Sequence, residues 1–495
     1  MKALQTDWAA KWAIYNPHKT ALKEYETGRT LSYASLNDWA NILANYLSTH
    51  FSIKKGDRVA VLAEYNLEFV ALFCAAQKAG FIIVPLNYRL SKTEVTYILT
   101  NSEPKIVLYE EKFETLLTSI PFVSFITFSA LSNHITSANH HPVRSFKNMP
   151  LKDDDPIFIL YTSGTTGFPK GALYSHKMLF WNSINTAMSL IINTESRTLN
   201  FMPPFHTGGW HVLLTPFLHH GGYTCLLRKF DPKAVLELLQ SEKCTLFMAV
   251  PTMMKMLADL PEFDEAAFPD MHYAIVGGEP MPIPLIEKWA NKNVAVRQGF
   301  GMTEVGPNLF SLHQDDALRK KGSIGRPNFY VQTKIVDENG KICDNGELLL
   351  RGPMVTKGYW RNEEATQKSI INGWFYSGDR VRCDDEGYFF VIDRIKNMYI
   401  SGGENVYPAE VERVILTHPS VSEVAIVGVP DEKWGEVGKA FVVIKENVQV
   451  TENEIIIFIK TQLAKFKVPK YVQFLTTLPK NGVGKIDRQA LKNID

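Results

Sequence analysis

Short apolar runs alternate along this chain with stretches of helical spacing. From Gly56 the order is RVAVLA, a helix-like stretch from Leu67 to Lys78, FIIVPL, a second helical stretch from Lys92 to Thr100, and IVLYE. Buried strands separated by helices over short connections predict a doubly wound parallel sheet. The stretch from Ser129 to Pro156, rich in Ser, Asn, His, Pro and Asp, reads as a loop. Alternation resumes in TLFMAV, YAIVGG and VAVRQGFG, so a second α/β layer is expected before residue 310. After Gly322 the texture changes to short β-like pieces divided by turns, TKIVDENG, KICDNGELLLRG and YFFVIDR, the spacing of a small barrel or meander.

The tail from about Asn397 has the length of a small domain. It should hold a helix from Pro408 to Thr417, strands VAIVGV and KAFVVI, and a helix after Thr451. Thr451 and Glu454 form a capping box ahead of Ile455, Ile456, Ile459 and Leu463. The expected architecture is α/β. Residues 1–395 form a large domain of doubly wound sheets with a β-barrel-like part, and residues 396–495 form a smaller α+β domain.

Composition narrows the function more than the fold. A chain of 495 residues exceeds one hydrophobic core. Lys and Arg number 53 against 52 Asp and Glu, so nothing electrostatic points to nucleic acid. Five scattered cysteines without a C-x-x-C pair suit a reducing, cytoplasmic compartment and speak against a zinc site. The N-terminus lacks the apolar core of a secretory signal. Phe69 to Leu86, broken by Gln77 and Lys78, is too short and polar for a transmembrane segment.

Chemistry concentrates in YTSGTTGFPKG, Tyr161 to Gly171, directly after the apolar run Ile157 to Leu160. Gly164, Gly167 and Gly171 let backbone N–H groups turn toward an anion. The hydroxyls of Thr162, Ser163, Thr165 and Thr166 add donors, and Lys170 adds charge. Such a loop cradles phosphate; a plain flexible loop is the alternative. The pattern G-x-x-x-x-G-K-[ST] does not fit, since Gly171 follows Lys170. GGEP (Gly277, Gly278, Glu279, Pro280) and QGFGMTE (Gln298, Gly299, Phe300, Gly301, Met302, Thr303, Glu304) each follow an apolar run, where open α/β sheets place their ligand crevice.

This set of strings, in this order, resembles the adenylate-forming superfamily of acyl- and aryl-CoA ligases, peptide-synthetase adenylation domains and beetle luciferases. The resemblance spans most of the chain. It implies ATP, Mg²⁺ and CoA, with adenine held between the GGEP and QGFGMTE segments. Phe300 stands where tyrosine is usual, keeping the ring and losing the hydroxyl. The resemblance gives Glu304 and Thr162 to the metal, although a lone Glu304 would read as a surface acid. Asp379 of YSGD and Arg394 of DRIKNMYISGG fall at the ribose, although Asp379 would also suit a turn. Lys396 takes the hinge, Gly402 and Gly403 the passage for the CoA thiol, and Lys485 of LPKNGVGKIDR the catalytic cation.

In PPFHTGGW, His206 corresponds to the histidine of the acyl pocket, and no acid is present to pair with an amino group, which favours a plain carboxylic acid. Trp210 and the string from Phe247 to Met254 suit the pocket wall or the core equally, and Trp210 by itself suits the core better. The expectation is an acyl-CoA ligase for a medium- or long-chain fatty acid, with an aryl acid second and a separate carrier protein as another acceptor. A kinase or ATPase, and a nucleotide-binding regulator without activity, are the competing classes. Oligomeric state is not legible, a homodimer being one arrangement that fits.

Overall fold

The computed structural model describes residues 6–117, 121, 123–139, 142–162, 169–278, 280–401, 404–432, 434–463, 465–481 and 484–494. Its contacts divide the chain into two compact units. One holds Met1–Gln332 and Leu350–Phe375, the other Thr333–Leu349 and Tyr376–Asp495.

The first unit is built on three sheets. A six-stranded sheet runs in the order Ser124–Thr127, Ile106–Tyr109, Arg58–Leu62, Ile82–Pro85, Pro156–Thr162 and Lys170–Ser175. All neighbours are parallel except the last pair. The helix Leu67–Ala79 that joins two of these strands is buried along its whole length, Glu68, Gln77 and Lys78 included, as apolar residues on all its sides require. Asn66 caps its start by accepting from the Phe69 N–H, and Gly80 ends it at φ 76°. A second sheet orders Leu246–Ala249, Tyr273–Val276, Ala295–Met302, Gly306–Ser311 and Arg326–Pro327. A third holds Thr30–Ser32, Thr20–Glu24, Tyr223–Leu226 and Arg197–Asn200. The doubly wound expectation is met.

One local expectation fails. Residues after Ser129 do not begin a loop; Phe128–Asn139 is a helix. Its polar composition hides Phe128, Leu131 and Ile135, which share one face and are buried.

In the second unit a sheet runs Gln332–Val336, Asn345–Arg351, Trp374–Cys383, with Phe389–Arg394 beside the last. Another sheet orders Glu404–Val406, Tyr399–Ser401, Gly435–Ile444 and Val421–Asp431, with Tyr471–Phe474 parallel to Gly435–Ile444. Helices Pro408–Ile415 and Glu452–Lys460 cover it through Val411, Ile415, Ile455 and Ile459. The capping box of Thr451 and Glu454 is present as read from the sequence. Among the described residues no helix is long and apolar enough to cross a membrane.

Candidate active site

Strand Pro156–Thr162 leads into the glycine-rich segment and Lys170–Ser175 follows it. Thr162 faces Lys170 across that pair, its hydroxyl donating to the Lys170 carbonyl at 3.4 Å. Ser163, Gly164, Thr165, Thr166 and Gly167 lie outside the described residues. A Cβ on Gly171 would stand 2.6 Å from Ile159 Cγ2, so the exit strand needs its glycine.

The two other glycine segments meet backbone to backbone. Gly277 follows the strand Tyr273–Val276, and a Cβ there would sit 3.5 Å from the Gly299 carbonyl. Gly278 has φ 89°, a conformation open to glycine. Pro280 is exposed, and Glu279 lies outside the described residues. Gln298 is buried beside Val276, and its Oε1 accepts from the Met281 N–H at 3.4 Å. Phe300 packs edge-on against Phe310 with ring centroids 5.8 Å apart. The turn between Met302 and Gly306 holds Thr303, half exposed, and Glu304, buried. Glu304 Oε1 accepts from the Tyr359 hydroxyl at 2.9 Å.

The PPFHTGGW segment enters a π-helical turn, Gly208–Val212, a geometry that recurs at functional sites. Its parts diverge. His206 is half-buried beside Phe205, whereas Trp210 is fully buried among Tyr65, Phe69, Phe73 and Phe158 at 5.1–5.5 Å. Trp210 Nε1 donates to the Pro204 carbonyl at 2.7 Å, so the indole holds the turn from behind. A Cβ on Gly208 would contact the methyls of Met202 and Met248 at 3.9 and 4.0 Å. Asn308 Nδ2 donates to the carbonyl of Val212 at 3.1 Å, and Asn182 Nδ2 to that of His211 at 2.7 Å. Asn308 thereby ties this turn to the hairpin that carries Glu304. Neither asparagine announces itself in sequence, because partners so remote leave no periodicity.

In the second unit, antiparallel register sets Asp379 opposite Arg394. Arg394 Nε lies 2.7 Å from Asp379 Oδ1, and Gly378, at φ 69°, turns the strand just before it. Asp379 is 3% exposed, and its Oδ2 has no hydrogen-bond partner among the described residues. Burial raises this carboxyl to about 6, against the opposing pull of Arg394 and Lys485. Lys396, in the turn Ile395–Asn397, is held below the usual ammonium range by desolvation and by the cations of Arg394 and Lys485. Asp393 braces this turn, accepting from Asn397 Nδ2 at 3.0 Å and from the Ala409 N–H at 2.7 Å.

Lys485 sits on a tight turn where Asn481 Oδ1 accepts its N–H at 3.1 Å and its carbonyl accepts the Asn481 N–H at 2.8 Å. Gly402 and Gly403 lie outside the described residues, between the paired strands Tyr399–Ser401 and Glu404–Val406. Within this unit, Asp379, Arg394, Lys396 and Lys485 form one electrostatic group.

Glycine segments apposed at strand ends in one unit, and a carboxylate–arginine pair with neighbouring lysines in the other, agree with a nucleotide-dependent acid-activating enzyme. The chain belongs to the AMP-binding enzymes: residues 9–360 match that family and residues 410–485 match the AMP-binding enzyme C-terminal domain. It is an ATP-dependent acid–CoA ligase that forms AMP. A long-chain-fatty-acid–CoA ligase of Mycobacterium tuberculosis is 38% identical over 491 residues, covering 97% of this chain and 96% of that one. A feruloyl-CoA synthase of an Amycolatopsis species is 36% identical over 482 residues, with the same coverages. The crystal structure of ATP-bound MatB from Rhodopseudomonas palustris superposes with a TM-score of 0.91 at 32% identity, covering 99% of this chain and 98% of that one.

Proposed function

We propose that this ligase activates a medium- or long-chain fatty acid, first as the acyl adenylate and then as the CoA thioester. The acid's carboxylate attacks the α-phosphorus of ATP and pyrophosphate leaves. The CoA thiol then attacks the acyl carbonyl and AMP leaves. Repulsion between carboxylate and triphosphate opposes the first step, and a positioned cation lowers that barrier. Lys485 takes this role. What supports it is the match of residues 410–485 to the AMP-binding enzyme C-terminal domain, a match that ends on this lysine.

Asp379 accepts the ribose hydroxyls, its buried and unpartnered Oδ2 being suited to a hydroxyl donor. Arg394 assists at the ribose, Phe300 stacks on adenine between Gly277–Pro280 and Gln298–Thr303, and the 162–170 loop with Lys170 holds the phosphates. Glu304 and Thr162 offer the hard oxygens that Mg²⁺ takes and would hold the ion, which shields phosphate charge when bound. We assign the small domain to residues 396–495. It turns about Lys396 between the half-reactions, with Gly402 and Gly403 leaving room for the pantetheine arm.

His206 borders the acyl group. The pliable Met202 and Met248 side chains beside Gly208 support a flexible aliphatic chain. An aryl acid is the second reading, favoured by the feruloyl-CoA synthase relative. A panel of acids graded in length and aromaticity, scored by CoA-dependent AMP release, tests this. Higher kcat/KM for an aryl acid would replace the first reading by the second.

A further inference from the structure

The segment after Gly352 carries none of the motifs above, yet it is laced onto both the exit strand of the phosphate loop and the Glu304 hairpin. The Thr356 N–H donates to the Glu304 carbonyl at 2.7 Å, and the Thr356 hydroxyl donates to the Leu173 carbonyl at 2.6 Å. The Leu173 N–H donates to the Gly358 carbonyl at 3.1 Å, and the Trp360 N–H to the Gly171 carbonyl at 2.7 Å. Between these anchors Tyr359 bridges Ala172, and its N–H donates to Thr366 Oγ1 at 3.0 Å. Gly358, at φ 140°, lets the chain make this approach, since a Cβ there would run into Thr366.

The ring of Tyr359 therefore has little freedom, and both ends of it matter. Its hydroxyl donates to Glu304 Oε1 at 2.9 Å, and Lys170 Nζ lies 5.8 Å from its centroid. A glutamate's terminal torsion is broad, so an unsupported carboxylate samples many orientations. A phenol bonded to one oxygen fixes that torsion without neutralising the charge. Among the described residues no donor reaches the other oxygen of Glu304.

We infer that Tyr359 is a positioning residue for the divalent cation that accompanies ATP: it aims Glu304 through the 2.9 Å bond while its ring lies beside Lys170. The inference rests on Glu304 being a metal ligand. Partners that orient metal ligands typically contribute about 10–100-fold in metal affinity.

The test is Y359F, which removes one oxygen and keeps the ring, compared with E304Q. Mn²⁺ binding is titrated by electron paramagnetic resonance with a non-hydrolysable ATP analogue present, alongside the Mg²⁺ dependence of adenylation. Y359F should weaken Mn²⁺ binding by about 10-fold or more. It should raise the half-saturating Mg²⁺ concentration in parallel, with kcat at saturating Mg²⁺ within about threefold and the melting temperature near wild type. Unchanged Mn²⁺ affinity in Y359F, with affinity lost in E304Q, overturns the role of Tyr359 alone. Affinity retained in both variants overturns the assignment of Glu304 as well. A loss of kcat at every Mg²⁺ concentration with metal affinity intact would reduce Tyr359 to packing.

Discussion

Glu304 and Asp379 are both buried carboxylates, 8% and 3% exposed, yet their surroundings prepare them for different partners. Glu304 takes its hydrogen bond from the Tyr359 phenol, a donor that is not a cation. Asp379 faces an arginine guanidinium and, among the described residues, keeps one oxygen without a donor. The first environment suits a cation. The second, already rich in positive charge, suits neutral hydroxyls. Two acids of similar burial are thus distinguished by what stands beside them.

The largest expected effect belongs to Lys485. K485A should slow acyl-adenylate formation by about 10²–10³-fold. It should leave CoA transfer from pre-made acyl adenylate within a few-fold, and equal loss in both half-reactions would remove the lysine from its assigned step.

D379N comes next, with KM for ATP expected to rise about 10–100-fold for the loss of a charged hydrogen-bond acceptor. The same variant carries a pH signature. Asp379 is raised to about 6 in the fold, so between pH 4 and 6 the native state holds a proton that the unfolded chain releases. This group's contribution to stability is therefore present below about pH 4 and is lost as pH rises through 6, by about 3 kcal/mol. Melting curves of the ligand-free protein should show D379N gaining on wild type across that window. A constant difference would contradict the raised carboxyl. E304Q should leave this difference untouched and move only the metal dependence.

Phe300 sharpens the comparison at its mild end. F300A should weaken nucleotide binding by about 1–3 kcal/mol through lost base stacking. F300Y, which keeps the ring, should change KM for ATP less than about threefold, and a larger change would show that the missing hydroxyl matters.

What sequence could reveal follows from how far apart the interacting residues lie. The strands Arg58–Leu62 and Ile82–Pro85 are contiguous strings whose pattern is local, and they read correctly. Helix Phe128–Asn139 was hidden because only Phe128, Leu131 and Ile135 mark its buried face amid Ser, Thr, Asn and His. Asp379 and Arg394 could be named from motifs, but their pairing is a matter of strand register that no single string encodes. Tyr359, Asn182 and Asn308 act through hydrogen bonds to distant backbone or side chains, and a tyrosine in KGYWRN looks like any other surface aromatic.

Gly301 has a practical consequence for anyone diversifying the hairpin around Phe300. A methyl group at this position would run into the Pro307 carbonyl across the hairpin, forcing apart the two strands whose connecting turn holds Glu304. Mutant libraries should therefore diversify the aromatic position and hold its neighbour fixed. Most members varied at residue 301 would be lost to a displaced hairpin before their selectivity could be scored.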